Sequence, residues 1–372
     1  MKLFVHGLPK EKQDGHLNLM KDVGCDALVI GSSQTETAQK ANDLGLNVFA
    51  CSGVFSHKYF NDDQLLAIDI EGHPQPWFNS DCPNQSRVRD KHLDEVYQNG
   101  ARPEIKGIFL DGIRFASMAS GLMPFLTCFC EVCHWKSAEM GYDMSRIKSG
   151  VRGLRSIMER GMERWPRGLM DFLSLPMDWG GLIQWIEFRR DCILEHVRNV
   201  YDTLKQADNT KQLCAYTFVP SFAPLVGQDY RSWADVIEIF SPMTYRWGDG
   251  PSCLTAELAA MTKELREKHK FDEAAACALL FNLCGYDVQS PKTLTELGES
   301  VPPRVMGIET ARARAMIGDK AELIPIIRIH DDLQEECVKQ VLDAGADGVS
   351  LFNFKDESNV KDLKLAAKLV KG

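Results

Sequence analysis

Short, nearly unbroken apolar runs recur along the chain, and many are followed by a stretch whose apolar residues return every three or four positions. Runs of the first kind predict strands buried on both faces, and the second kind predict amphipathic helices. Strands are expected at Leu3–His6, Ala27–Ile30, Asn47–Cys51, Gly107–Asp111, Leu213–Phe218, Val236–Ser241, Leu323–Ile329 and Gly348–Asn353. Helices are expected over Thr35–Leu44 and over Asp331–Ala344, the latter stopped by Gly345. About eight strands alternating with helices predict an α/β fold, the (β/α)8 TIM barrel. The alternative is a doubly wound open sheet. It would place a GxGxxG turn after the first strand, and the sequence has none there.

The chain reads as a single barrel domain over 1–372. The connections after the third, fourth and sixth strands (roughly 52–106, 112–180 and 242–322) are longer than a helical crossover requires. Loops that follow barrel strands build the catalytic face, so these three are expected to roof the pocket.

Composition narrows the partners. With 44% hydrophobic and 26% charged residues the chain is of globular type. A net charge of −9 argues against nucleic acid or an anionic membrane as the main partner. The basic run Arg152–Arg167 is interleaved with Glu159 and Glu163 and reads as a solvated helix face. The start, MKLFVHGLPKEK, reads as neither a signal peptide nor a membrane anchor, and no apolar run approaches the ~20 residues of a membrane span. A cytoplasmic location is therefore expected, with the 12 cysteines reduced.

Asp111 ends the fourth strand in IKGIFLDGIRF. A carboxylate at a strand end, followed by Gly112 and then Arg114, points into a barrel mouth. An ionised Asp there suits a nucleophile or a stabiliser of an oxocarbenium-like centre. The structural alternative is a turn-capping Asp. Cys128, Cys130 and Cys133 form C-F-C-E-V-C, and Cys82 in DCPNQSR is a fourth ligand from the preceding long connection. Four thiolates suit a closed tetrahedral structural Zn2+ site, with His134 as an alternative ligand and four unconnected thiols as the bland reading. Cys25, Cys51, Cys214 and Cys277 lie in apolar segments and read as core.

The sixth strand runs into S-P-M-T-Y-R-W, so Tyr245 and Trp247 are expected at the rim, where aromatic faces stack on sugars. Glu238 lies within that strand, either pointing inward as an acid or outward into a salt bridge. Other mouth candidates are His6, Tyr216, Gln228 with Asp229 and Tyr230, His330 and Asp331, and Asn353. Asp332 reads as the N-cap of the next helix. Asp69, Glu71 and Trp77 form a further acidic and aromatic group, whereas Trp185 reads as a packing residue, with Glu187 and Arg189 at the helix surface. No phosphate loop, HExxH or GxSxG is present, which weakens nucleotide hydrolase, zinc peptidase and esterase readings.

The runs WFNSDCPNQSRVRDKHLDEV, GIFLDGIRF, CFCEVC, WIEFR and LVGQDYRSWADVIEIFSPMTY resemble the glycoside-hydrolase-like barrel families of uncharacterised bacterial proteins. The cysteine arrangement is similar to the zinc cluster of the family 42 β-galactosidases. The resemblance covers roughly Ala67 to Tyr245. It implies a glycosidase-type barrel with Asp111 at the strand-four carboxylate position, and with Cys82, Cys128, Cys130 and Cys133 on the zinc pattern. The chain departs from family 42 in two places. That family has Asn-Glu after strand four and a glutamate nucleophile after strand seven; here the strands end in Asp111-Gly112 and Ile329-His330-Asp331. Its mechanism and substrate therefore do not carry over.

The leading expectation is a glycoside hydrolase acting on a small glycan or glycoside. Asp111 would be one carboxylate, with Asp331 and Glu238 as further catalytic candidates and no organic cofactor. The rivals are a carbohydrate lyase or isomerase with Asp111 or His330 as base, and a non-catalytic carbohydrate-binding barrel. A homo-oligomer is allowed for.

Overall fold

The computed structural model describes residues 1–158, 174 and 177–372. Eleven strands are present among them. They are β1 (Lys2–His6), β2 (Ala27–Gly31), β3 (Asn47–Gly53), β4 (Ala67–Ile68), β5 (Pro74–Gln75), β6 (Gly107–Asp111), β7 (Gln212–Thr217), β8 (Ile239–Pro242), β9 (Glu322–Leu323), β10 (Ile326–Arg328) and β11 (Gly348–Phe352). β4 and β5 form a separate antiparallel hairpin. The other nine make one parallel sheet in the order β10-β11-β1-β2-β3-β6-β7-β8-β9.

The two ends of that order, β9 and β10, are consecutive pieces of one stretch separated only by Ile324 and Pro325. An isolated parallel bridge also joins Met243 to Ile326. The sheet thus curls until its edges meet within one segment, and its strand order is that of an eight-stranded barrel.

All eight predicted apolar runs contain sheet strands, and two differ in detail. The run at 323–329 is split because Pro325 has no N–H to give the ladder, although its carbonyl still accepts from Ser350. The run at 236–241 becomes strand only at Ile239. Val236 and Ile237 instead donate their N–H groups to Trp233, closing the helix Tyr230–Trp233.

Alternation along each strand explains why the runs are so apolar. Phe4, Ala27, Val29 and Phe49 belong to the core inside the curled sheet. Their neighbours Leu3, Val5, Leu28, Ile30, Val48 and Ala50 pack outward against helices. The helix Val360–Lys371 meets that outer face with Leu363, Ala366, Ala367 and Val370, a spacing that puts all four on one stripe. The interior is an aromatic stack, in which Phe4 lies 5.6 Å from Phe49, Phe49 5.5 Å from Phe109, and Phe109 4.7 Å from Tyr216. Strand pairing is close enough at Gly107 that a Cβ there would fall 2.3 Å from the Gln212 carbonyl oxygen, so only glycine fits.

The segment after β3 holds the hairpin and the helix Ser86–Gly100. The one after β6 holds the helices Leu122–Phe125, Glu131–Glu139, Met144–Met158 and Trp179–Ala207. Four helices follow β8 before β9. The basic run Arg152–Arg167 enters this region in the helix Met144–Met158, and its part from 159 onward lies outside the described residues. Among the described residues no helix is long and apolar enough to cross a membrane.

Candidate functional site at the strand ends

Asp111 is the last residue of β6, where the chain must turn away from the sheet. Gly112 makes the turn with φ +79°, in the left-handed region that suits glycine. The Asp111 carbonyl accepts from Val54 and the Gly112 carbonyl from Arg114, which fixes the turn. The Asp111 carboxylate takes the Gly112 N–H and forms no ion pair with a described residue. Burial raises its pKa above the ordinary carboxylate value, and the nearby Arg114 charge and the Gly112 N–H only partly oppose this. The same carboxylate pushes up the thiol of Cys51 and the phenols of Tyr216 and Tyr245, each already raised by burial. Asp111, Cys51, Tyr216 and Tyr245 therefore share one electrostatic neighbourhood.

Around them the strand ends gather aromatic residues, of which Tyr216 and Tyr245 are buried, Tyr245 contrary to its expected place at the rim, and Trp247 is half-buried. His6 ends β1 and contacts the Tyr216 hydroxyl through Nδ1 at 2.7 Å. Burial lowers the His6 pKa to about 4, so the ring is neutral at pH 7. Phe352, at the end of β11, packs 5.3 Å from His6 and 4.9 Å from Tyr245. Asn353 follows with φ +77° and gives its backbone N–H to the His6 carbonyl. Arg328, at the end of β10, lies 4.4 Å over the Trp247 ring and donates to the Trp247 carbonyl. His330 meets Trp247 edge-on at 5.2 Å and is itself exposed. Asp111, His6, Tyr216, Tyr245, Trp247 and Asn353 thus gather at one end of the sheet, where each strand finishes.

Other candidates are engaged elsewhere. Glu238 precedes β8, at the opposite end of the sheet. Its carboxylate accepts from the Leu213 N–H at 2.9 Å and from Lys205 at 3.2 Å, so it is a strand-start tie and not a group of the mouth. Gln228 spans two backbone segments, accepting from Phe218 N–H and donating to the Ile113 carbonyl, which uses both ends of its amide. Asp69 accepts from the Glu71 and His73 N–H groups and from Gln75, stapling the β4–β5 hairpin. Glu71 pairs with Arg155. Trp185 is buried as expected, donating to the Thr127 carbonyl. Arg189, read from sequence as a surface residue, is buried instead and donates to the carbonyls of Leu225 and Ala116.

Asp331 is buried and fully subscribed. Both carboxylate oxygens take Arg246 Nε, at 2.9 and 2.8 Å, and Trp247 Nε1 and the Leu333 N–H add two more donors. The capping role expected of Asp332 is not filled: Leu333 is the N-cap of the helix Gln334–Asp343, and no side chain caps it. Asp331→Ala should leave Arg246 buried and unpaired, at a cost of about 3–5 kcal/mol. Urea melts of the two proteins would check this, and a loss under 1 kcal/mol would remove the pair from the structural account.

Two residues of this region were missed from sequence. Arg246 stands inside the Tyr245–Trp247 run already singled out, and its partner is 85 residues away. Glu257 is buried in the first turn of the helix Leu254–His269 and accepts from the Ser117 hydroxyl and from the Ala119 and Ser252 N–H groups. Nothing local in the sequence marks a glutamate in a first helical turn as buried.

The cysteine cluster does form. The sulfurs of Cys82, Cys128, Cys130 and Cys133 all lie within 4.8 Å of one another, and all four residues are buried. Cys82 Sγ is 3.5 Å from Cys133 Sγ and 3.7 Å from Cys130 Sγ. The Ile68 N–H points at Cys128 Sγ, the Asn84 N–H at Cys82 Sγ, and Asn84 Nδ2 at Cys133 Sγ. N–H donors aimed at sulfur favour thiolate. The shifts within the group are split: hydrogen bonds from Cys128, Cys133 and Cys82 hold Cys130 well below the usual thiol value, while burial pushes Cys82 well up and hydrogen bonding to its neighbours pushes Cys133 well up. The set is a candidate metal site joining the segment after β3 to the one after β6. His134, the alternative ligand, is outside this group.

No family model matches the chain, and no curated protein matches its sequence. Solved structures do. Over 99% of its length the chain is similar to a β-galactosidase from the Antarctic haloarchaeon Halorubrum lacusprofundi, with TM-score 0.62 and 12% identity. It is similar over 99% to a GH42 β-galactosidase from G. stearothermophilus, with TM-score 0.57 and 12% identity. It spans only 58% and 56% of those two chains. The PgaB (BpsB) glycoside hydrolase domain from Bordetella bronchiseptica matches at TM-score 0.62 and 9% identity, with 99% of this chain and 98% of that one covered. At such identities the likeness establishes the fold, a curled parallel sheet wrapped by helices as in glycoside hydrolase barrels.

Proposed function

We propose that the chain is a glycosidase acting on a small glycan or glycoside, with Asp111 as one catalytic carboxylate. The observation that carries this is a carboxylate at a strand end, with no ion pair among the described residues, in electrostatic range of Tyr216, which His6 contacts, and of Tyr245. Glycoside cleavage needs one carboxylic acid to protonate the leaving oxygen and a second group to attack or to activate water. A desolvated Asp holds its proton to higher pH than an exposed one, which suits the first role. The half-buried Trp247 and Asn353 would meet the sugar, with the buried Tyr216 and Tyr245 beneath them.

A second reading is a carbohydrate-binding barrel that does not hydrolyse. It is favoured by Asp331 and Glu257, each already committed to several protein donors. Aryl glycosides of both anomeric configurations, assayed against the wild-type protein and Asp111→Asn, separate the two. Release of phenol by the wild type alone supports the glycosidase, and binding without release supports the second reading.

We read the cysteine cluster as structural zinc held by Cys82, Cys128, Cys130 and Cys133. A tetrahedral site with Zn–S near 2.3 Å needs sulfurs about 3.8 Å apart, and the sulfur separations of 3.5 and 3.7 Å are close to that. Four thiolates leave no open position, so the ion would brace the segment after β3 against the one after β6 and take no part in chemistry.

A further inference from the structure

We propose that Arg114 and Phe78 form a subsite for an anionic sugar beside Asp111, taking a glycan unit that carries a carboxylate, such as a uronic acid. The inference names the substrate class of the glycosidase proposed above and rests on it for the reaction, but not for the binding.

Arg114 is only 3% exposed, yet its sole side-chain hydrogen bond among the described residues runs from Nη1 to the Phe115 carbonyl at 3.0 Å. It forms no ion pair with any described residue. The buried Arg246 and Arg89 are better supplied, while Arg189 shares part of the shortage, its Nε having no partner among the described residues. Arg246 grips Asp331 with both oxygens, Arg89 has Glu195 and three further acceptors, and Arg189 has two carbonyls. Arg114 is surrounded instead by aromatic rings: Phe218 at 4.9 Å, Trp77 at 5.0 Å and Phe78 at 5.5 Å. Rings attract the charge but accept no strong hydrogen bond, so most of the guanidinium fork is left unused.

The two acids that act on Arg114 electrostatically do not fill it. Glu257 is occupied by Ser117, Ala119 and Ser252, and Asp111 is held by Gly112. Arg114 keeps its charge at neutral pH, its pKa being lowered by burial only to about 10. A buried, pre-positioned cation short of acceptors is costly unless an anion supplies them. A carboxylate fits the fork with two parallel bonds.

Phe78 supplies the sugar's platform. It is 58% exposed although its ring lies over Arg114, and both Phe78 and Asn79 adopt left-handed backbone, with φ of 41° and 52°. That pair of turns holds a large apolar ring in solvent above a cation. A pyranose has apolar faces that stack on such a ring, and its C5 carboxylate is the substituent that would reach Arg114.

The test uses the full-length protein with D-glucuronate and D-galacturonate, their neutral counterparts glucose and galactose, and inorganic sulfate, all by calorimetry. The 4-nitrophenyl glycosides of both anomers then serve for turnover. The expected result is at least tenfold tighter binding of a uronate than of its neutral sugar, weakened by added salt and lost in Arg114→Gln. Phe78→Ala, on the surface, should weaken uronate binding severalfold without moving the melting temperature. If Arg114→Gln does not fold, the wild-type preference and its salt dependence decide the matter. Sulfate binding as tightly as uronate would show a general oxyanion site and overturn the sugar assignment. Turnover of neutral glycosides with no uronate preference would overturn the subsite and leave the glycosidase standing. Uronate binding without turnover of any glycoside would do the reverse.

Discussion

Cys130→Ser should strip the chain of about one zinc ion and cost several kcal/mol of stability, because the ion's binding energy is folding energy for the two segments it joins. Cys130 Sγ lies 3.7 Å from Cys82 Sγ, and a serine hydroxyl in its place is a poor ligand for zinc. The remaining sulfurs would still face one another, Cys82 and Cys133 at 3.5 Å, without a cation between them. Four thiolates around a divalent ion carry a net charge of −2, and the buried Arg189 is placed to offset part of it. Burial lowers the Arg189 pKa to about 9, while the charges of Cys128 and Cys133 push it back up. Cys337→Ser is the control, since Cys337 packs in the outer core away from the cluster. Metal content per chain and thermal melts with and without chelator would measure the effect. Wild-type protein that is free of metal and melts at the same temperature as Cys130→Ser would end the zinc reading.

The spacing C-F-C-E-V-C made this cluster legible in the sequence, since three thiols within six residues are near enough for one loop to bring together. Cys82 was legible for a weaker reason, its place in the other long connection. The strands were legible because burial on both faces leaves no polar positions to confuse the pattern, as Gly107–Asp111 shows. Their fine structure was not. Pro325 interrupts the seventh barrel strand, an effect of one missing N–H that an apolar run does not display. Glu238 was misplaced for a related reason. The true strand begins at Ile239, which puts the glutamate before the strand, and in a parallel sheet that is the end away from the mouth. The pairing of Arg246 with Asp331 and the burial of Glu257 depend on contacts between distant segments, and local composition carries no trace of them. Asp111 could be found because a strand end in such a sheet is a fixed address; Arg114 could be found beside it, but its shortage of acceptors could not.

Asp111→Asn should reduce glycoside turnover by about a thousandfold or more while leaving the fold intact, since removing a positioned proton-transfer group alone typically costs 10²–10⁴-fold. The two properties separate because the native carboxylate is destabilised where it sits. Burial raises its folded pKa above the unfolded value. The protonated form therefore contributes stability that is present at low pH and is lost as pH rises through the folded pKa. Once ionised, the carboxylate is a desolvated charge with no ion pair among the described residues, and asparagine removes that charge at almost the same volume. The variant should melt at the same temperature as the wild type or higher at pH 7, with the difference shrinking as pH falls below the raised value. Activity gives the role. If Asp111 donates a proton to the leaving oxygen, wild-type kcat falls on the alkaline side as the carboxyl ionises; if it attacks as the anion, kcat falls on the acid side. An Asp111→Asn protein that keeps wild-type turnover would remove Asp111 from the chemistry. One that loses turnover together with ten degrees of melting temperature would make the residue a structural turn, leaving the acid to be sought among the other groups of the mouth.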